Sequence, residues 1–543
     1  MAVVRLPDKI TIIPSQIQQK AAHFGITVPE KDIDAYCVLL SGLDACVAAI
    51  QAEEDYVPHL DLQRFPRVNI HRPTPADNAA DYNAWAYKVE IKSTSSADLA
   101  GPLAGLSVAV KDNVNIGGVP SLLGTDVLSK PYIPTYDATI ITRLLQAGAC
   151  IVGKAACENF SISPNSFSNA HAHVQHPMAP GYSAGGSSSG SAALLCAGKV
   201  PLAIGGDQGG SIRLPAAYCG VVGLKPTYGL VPYTGIASLS ALIDHTGPMT
   251  RTVLENALLL SAIAGKDGLD DRQIDAPAYG VANYYEPLLT YQHDPKAAVK
   301  GMRIAVLHES LQVDGLDPRV AEKVKEAAVS FRALGAEVVE VSIPMHTLGG
   351  AIWTIANREA ISDQGMRGQN PHRLGVHDVA LSQELSTWTQ AKFEQVQLHN
   401  PAATNCLLSG QFVKDEYPGM TDKAINLSRK LKDTYQAVFK DQGIDLLILP
   451  CTPTISNYTS SVSDSIMEKM AKAIGITQNT APFNVSGHPA LSLPIGMLPV
   501  VERAEDSHIK LPVAMQLVAG LFEEAKIYRA AYAWEQSYNW RDL

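Results

Sequence analysis

The chain reads as an α/β protein whose sheet carries helices on both faces. Three observations predict this. From residue 106 onward, short apolar runs of strand length alternate with runs of helical spacing. Glycine-rich turns punctuate them. The composition, 46% hydrophobic and 18% charged over 543 residues, is that of a globular protein with a large core. Length alone fits about three domains, although large α/β enzymes often merge into one body.

Residues 1–80 are polar and helical, with apolar residues at helical spacing over 17–23 and 35–50. They hold no candidate chemistry and are expected to serve packing or dimerisation. Within them, 64–76 carries Pro66, Pro73 and Pro75 and reads as a connector. The main body is expected over 85–543. Residues 106–110 form an apolar strand. A helix follows over 137–147, with Asp137 placed to cap it and Gly148 to end it. Residues 149–152 are the next buried strand. The runs 192–197, 202–204 and 220–224 extend the pattern, and 252–264 is an apolar helix. A strand over 302–307 leads to a helix that starts at Asp317-Pro318, ends near Leu334 and is closed by Gly335, before a strand over 336–341. Residues 345–425 hold Trp353, Trp388, several Gln and His and no clear strand, which predicts a helical lobe over the body. A helix over 421–440 then feeds a buried strand at 445–449.

A net charge of −10 excludes the basic footprint of a nucleic-acid binder. No run of eighteen apolar residues predicts a membrane span, so no membrane partner is expected. The N-terminus has no signal-peptide pattern. The eight cysteines are scattered without a CxxC pair, as buried free thiols in a reducing compartment would be. A cytoplasmic protein is the expectation.

The chemistry concentrates in 181–233. Two Gly/Ser clusters stand there, Gly185-Gly186-Ser187-Ser188-Ser189-Gly190 and Gly205-Gly206-Asp207-Gln208-Gly209-Gly210-Ser211. A flexible linker would continue in Gly and Ser, whereas these clusters alternate with apolar runs. Glycines between buried elements mark close backbone approach to something. A nest of N–H groups could hold phosphate. It could equally face the oxyanion of an acyl transfer, with Ser211 as the hydroxyl nucleophile.

The pattern GGSSSGS followed by GGDQGGSIRLPAAYCGVVGLKPT resembles the signature of the amidase signature family of serine hydrolases. The strand Leu106-Ser-Val-Ala-Val-Lys111-Asp-Asn113 is similar to that family's lysine-bearing strand. The likeness runs from about Trp85 to near the C-terminus, including 480–494 and 512–518, which resemble its C-terminal strands. Within the family, Gln208 and the N-terminal extension look most like bacterial nitrile-pathway amidases. The resemblance implies a central mixed β-sheet covered by helices, a Ser–Ser–Lys triad of Ser211 (nucleophile), Ser187 (relay) and Lys111 (base), and a cis Gly186–Ser187 peptide. It also implies an oxyanion hole formed by Gln208, Gly209, Gly210 and the Ser211 N–H. Ile162, Ile236 and Trp353 are candidate acyl-pocket residues.

These roles make physical demands. Serine needs a base to take its proton. Lysine is protonated at neutral pH unless desolvated, which the end of a core strand can provide. Asp112 should point to the opposite face from Lys111. Ser187 could alternatively cap the following helix, a task Ser188 or Ser189 can also perform. Asp207 and Arg213 read as a pair fixing the loop, and Cys219 as packing. Two decoys are set aside. Gly148 to Lys154 mimics a phosphate loop, but Ala155 stands where Ser or Thr is required. His171, His173 and His176 lack a firm further ligand for zinc, so no metal and no cofactor are expected.

The expected activity is hydrolysis of a carboxylic amide to acid and ammonia through an acyl-enzyme on Ser211, with a small-molecule substrate and a homodimer as the assembly. The alternatives are an ammonia-producing glutaminase subunit of an amidotransferase complex and a non-catalytic scaffold with the same fold.

Overall fold

The computed structural model describes residues 6–370 and 373–543. By internal contacts the chain forms two compact units, Met1–Val57 and Pro58–Leu543. In the first unit, helix Glu30–Gln51 is tied to the segment just before helix Pro14–Ala22 by the Ser41 hydroxyl, which accepts from the N–H groups of Thr11 and Ile12 at 2.9 and 3.1 Å. Helix Glu30–Gln51 is long and apolar enough to cross a membrane by length and composition alone, although charged and polar residues interrupt its apolar run.

The second unit is built on one twelve-stranded sheet. In chain order its strands are β1 (Arg67–His71), β2 (Trp85–Ile91), β3 (Ser107–Lys111), β4 (Cys150–Ala155), β5 (Leu202–Gly206) and β6 (Val222–Lys225). They continue as β7 (Thr246–Thr250), β8 (Arg303–Leu307), β9 (Glu337–Val341), β10 (Leu446–Pro450), β11 (Ala490–Pro499) and β12 (Lys510–Val518). The spatial order is β1-β2-β4-β3-β5-β7-β6-β11-β12-β10-β8-β9. The pairs β3/β4, β3/β5, β8/β10 and β8/β9 are parallel and the rest antiparallel, so the sheet is mixed.

Side chains alternate across a strand, and the two faces feed separate cores. Val108, Val110, Leu202 and Ile204 enter one cluster, while Ala109 and Ala203 enter another with the helix Ser189–Cys196. At the far end, Ile304, Leu446 and Ile448 join the first cluster. Ala305, Leu307, Leu447 and Leu449 join a third, packed by the helix Met420–Asp441. Both faces are therefore covered, as near-continuous apolar strands require.

Three expectations change. The connector at 64–76 contains β1, an edge strand antiparallel to β2. Its sequence, Arg67-Val68-Asn69-Ile70-His71, alternates polar and apolar residues, but the run is short and mostly exposed and lies among Pro66, Pro73 and Pro75, which masked it. Asp137 does not cap its helix, which runs over Thr139–Gln146 from Ala138. Its carboxylate instead accepts from Gly117 N at 2.8 Å and pairs with Arg67. The stretch 480–494 starts with a helix, Ala481–Ser486, before β11. By contrast, Asp317 does cap the helix Pro318–Ala333. The region 345–425 is helical, from Gly349–Ala360 through Val379–Leu385, Gln390–His399 and Pro401–Glu416.

Candidate active site

Lys111 is the last residue of β3 and Gly206 the last of β5, neighbouring parallel strands held in register by Val108 with Leu202 and Val110 with Ile204. The site therefore sits at the carboxyl edge of the sheet, where α/β folds place their ligands. Lys111 is fully buried. Its Nζ donates to Ser187 Oγ at 2.8 Å and to Gly206 O at 3.4 Å. Burial draws its pKa down to about 8, against the opposing pull of Cys157, Asp207 and Glu158. Asp112 turns away, accepting from the N–H groups of Leu122 and Leu123 and pairing with Lys154 at 3.2 Å.

Ser187 is also fully buried and follows a cis peptide from Gly186. Its carbonyl accepts from Glu158 N at 3.2 Å, while Ser188 N donates to Ser211 O at 3.2 Å, tying the two serine turns together. Neither Ser188 nor Ser189 caps the helix Ser189–Cys196 with its side chain. Ser188 Oγ lies between Gly206 N and O, and Ser189 Oγ donates to Glu158. Ser211 is part exposed, and no hydrogen bond joins its hydroxyl to Ser187 among the described residues.

The turn 207–211 is held by three side chains from two distant segments. Asn484 Nδ2 donates to the carbonyl of Asp207 at 3.0 Å, Trp353 Nε1 to that of Gln208 at 2.6 Å, and Thr480 Oγ1 to that of Gly209 at 2.6 Å. In a trans peptide, N–H and C=O point in opposite directions. The N–H groups of Gln208 and Gly209 are thereby turned away from Asn484 and Trp353. The Gly210 N–H departs from its expected role because it donates to Asp207 Oδ1 at 2.7 Å. The Gly210 carbonyl accepts from Leu214 N at 2.7 Å, which turns the Ser211 N–H the other way. Gly209 lies close under the Trp353 ring: a Cβ there would sit 3.1 Å from it, so the ring would have to give by a few tenths of an ångström.

Beneath the turn, Arg213 and Asp207 form a buried bidentate pair at 2.9 and 3.0 Å. Arg213 also reaches Thr480 O, Gln516 and Asn484. Burial alone would raise the Asp207 pKa, but Arg213, with Asn484 and Lys225, holds it below the usual carboxylate range.

A cavity of about 440 Å³, within the range of small-molecule sites, meets this turn through Tyr233; no residue of 207–211, nor Lys111 or Ser187, lines it. Asn113, Phe160, Tyr233, Ile236 and Leu239 line it, and Gln364 with parts of 368–386 forms another wall. Tyr233 connects cavity and turn by accepting from Gln208 Nε2 at 2.8 Å. Of the three candidate acyl-pocket residues, Ile236 is in the wall. Ile162 and Trp353 pack in the apolar cluster beside it.

Among the residues that sequence reasoning set aside, Lys154 is a strand residue paired with Asp112. His171 and His176 turn ring nitrogens onto the carbonyls of Thr125 and Tyr218 at 3.0 and 2.9 Å. Glu158, Thr480 and Asn484 were missed. Only the position of Glu158 shortly after a buried strand could have drawn attention to it.

A family model described as Amidase matches residues 70–527. An enantioselective amidase of Rhodococcus rhodochrous is 35% identical over 507 residues, covering 90% of this chain and 92% of the relative. A glutamyl-tRNA(Gln) amidotransferase subunit of Alkaliphilus metalliredigens is 33% identical, covering 81% and 84%. Among solved structures, the native peptide amidase of Stenotrophomonas maltophilia superposes with a TM-score of 0.64 at 28% identity, over 80% of this chain and 83% of that one.

Proposed function

The chain belongs to the Amidase family and is an amide-hydrolysing enzyme; from that premise we infer that Ser211 is its nucleophile, Ser187 its proton relay and Lys111 its base. One observation carries this reading: a fully buried lysine with a pKa of about 8 donates to Ser187 at 2.8 Å. The neutral amine takes the Ser187 proton as Ser187 Oγ takes that of Ser211, and Ser211 Oγ attacks the amide carbonyl. Negative charge on the carbonyl oxygen meets N–H groups of Gln208, Gly209 and Ser211, whose orientation is fixed before substrate arrives. The proton returns through Ser187 to the departing ammonia, and water hydrolyses the acyl-enzyme by the reverse route. The Ser187–Ser211 hydrogen bond is the contact that substrate must complete, since catalytic hydrogen bonds often tighten only in the bound state.

The apolar lining by Phe160, Ile236 and Leu239 favours amides of aromatic or medium aliphatic acids. Ammonia release across aliphatic, aromatic, indole-acetic and amino-acid amides tests this. Ser211→Ala should abolish release with the fold intact by circular dichroism, and a fluorophosphonate should label Ser211. Labelling elsewhere, or activity in Ser211→Ala, would overturn the assignment. A second reading is prompted by the relatives named as amidotransferase subunits. Glutamine hydrolysis that exceeds every other amide, with a copurifying partner, would favour a glutaminase role within such a complex.

A further inference from the structure

Cys196 and Cys219 are the last residues of the helices Ser189–Cys196 and Arg213–Cys219. These helices lead away from Ser187 and Ser211 respectively. Both thiols line one cavity of about 320 Å³ on the far side of the helices, walled also by Val221, Arg251, Trp540 and Arg541. Cys219 is buried and its Sγ donates to Ala184 O at 3.4 Å, whereas Cys196 is part exposed. Its neighbour Cys219 and the Arg541 charge, opposed by burial, hold the Cys196 thiol below its ordinary pKa. Burial and Cys196 push Cys219 well above its own. The sulfurs of Cys157 and Cys451 move the opposite way from Cys196, burial raising both to about 12. A more acidic, accessible thiol beside a second thiol and two guanidinium groups is the arrangement of a redox-sensitive pair.

We propose that Cys196 and Cys219 are a hydroperoxide-responsive dithiol, with Cys196 oxidised first and Cys219 resolving it to an intrachain disulfide. The Cys196 thiolate attacks one peroxide oxygen, the O–O bond breaks, and hydroxide or alkoxide leaves with the electron pair. The sulfur is oxidised to sulfenic acid as the peroxide is reduced. The Cys219 sulfur then attacks that of Cys196. The S–S bond forms as the S–O bond breaks, and the Cys219 proton leaves with the hydroxyl as water. The bond would tie together the ends of the two helices that begin beside the serine turns.

The test uses the full unsubstituted chain and needs no substrate, so it is independent of the role of Ser211. The protein is exposed to low hydrogen peroxide, alkylated under denaturing conditions and mapped by mass spectrometry. The expected result is a Cys196–Cys219 linked peptide with two hydrogens lost, reversed by dithiothreitol and formed at least about tenfold faster than any other cysteine oxidation. In Cys219→Ser, dimedone should trap Cys196 as the sulfenic acid, and Cys196→Ser should form no linkage. Cys196 remaining alkylatable after peroxide, or oxidation spread evenly over the cysteines, would overturn the proposal.

Discussion

At the scale of single residues, the inferred mechanism turns on the proton affinity of one amine. In it Lys111 acts as the neutral base, and burial brings its pKa to about 8. The kcat/KM should therefore rise with pH and level off above an inflection near that value, as initial rates from pH 6 to 10 would show. Glu158 sets part of this affinity. It is fully buried, accepts from Ser168 N, Ser168 Oγ and Ser189 Oγ at 2.7, 2.6 and 2.8 Å, and burial lifts its own pKa to about 7. Its negative charge favours protonated Lys111. Removing that charge lowers the lysine pKa, so Glu158→Gln should move the acid limb to lower pH by at least about half a unit. Glu158→Asp keeps the charge and should keep the limb in place even if kcat falls. An unmoved limb in Glu158→Gln would reduce Glu158 to a packing role. The Lys111 demand was legible in sequence because an apolar run leads straight into it. Glu158 was not legible, because nothing in a lone carboxylate reveals which hydroxyls will surround it.

At the scale of elements, the turn 207–211 owes its shape to partners remote in sequence. Breaking a buried ion pair by removing one partner costs about 3–5 kcal/mol. Arg213→Met, which strands Asp207 without its counter-charge, should lower unfolding stability by that order in urea titrations. Trp353→Phe keeps the ring against Gly209 but frees the Gln208 carbonyl. It should cut kcat by about tenfold or more with a smaller change in KM, as loss of orientation at an oxyanion site does. The strands that were read correctly are those whose apolar runs signal burial on both faces, such as β3, β8 and β10. β7 was missed for a physical reason: it carries Pro248 opposite Ile204 in an interior strand, where proline argues against a strand at all. The cap at Asp317 was local and readable, whereas Asp137 found a long-range arginine that no local pattern encodes.

At the scale of the whole molecule, the N-terminal unit is the candidate for assembly. Tyr36, Leu39, Leu43, Val47 and Ile50 lie at helical spacing on Glu30–Gln51 and are exposed, a stripe of the kind that self-associates. We infer a homodimer through this unit. Sedimentation of the full chain should give dimers, and of the chain starting at Pro58 monomers; dimers in both would refute the assignment. The large sheet has a different consequence. The groups inferred to react come from strand ends and turns at 111–211, whereas much of the adjoining cavity's wall comes from 364–386. On the inferred mechanism, transformation and discrimination are thus carried by different stretches of chain. Randomising 373–386 should yield variants that exchange one preferred acid for another while the phosphonate reactivity of Ser211 stays constant, so that new selectivities can be selected without rebuilding the catalyst.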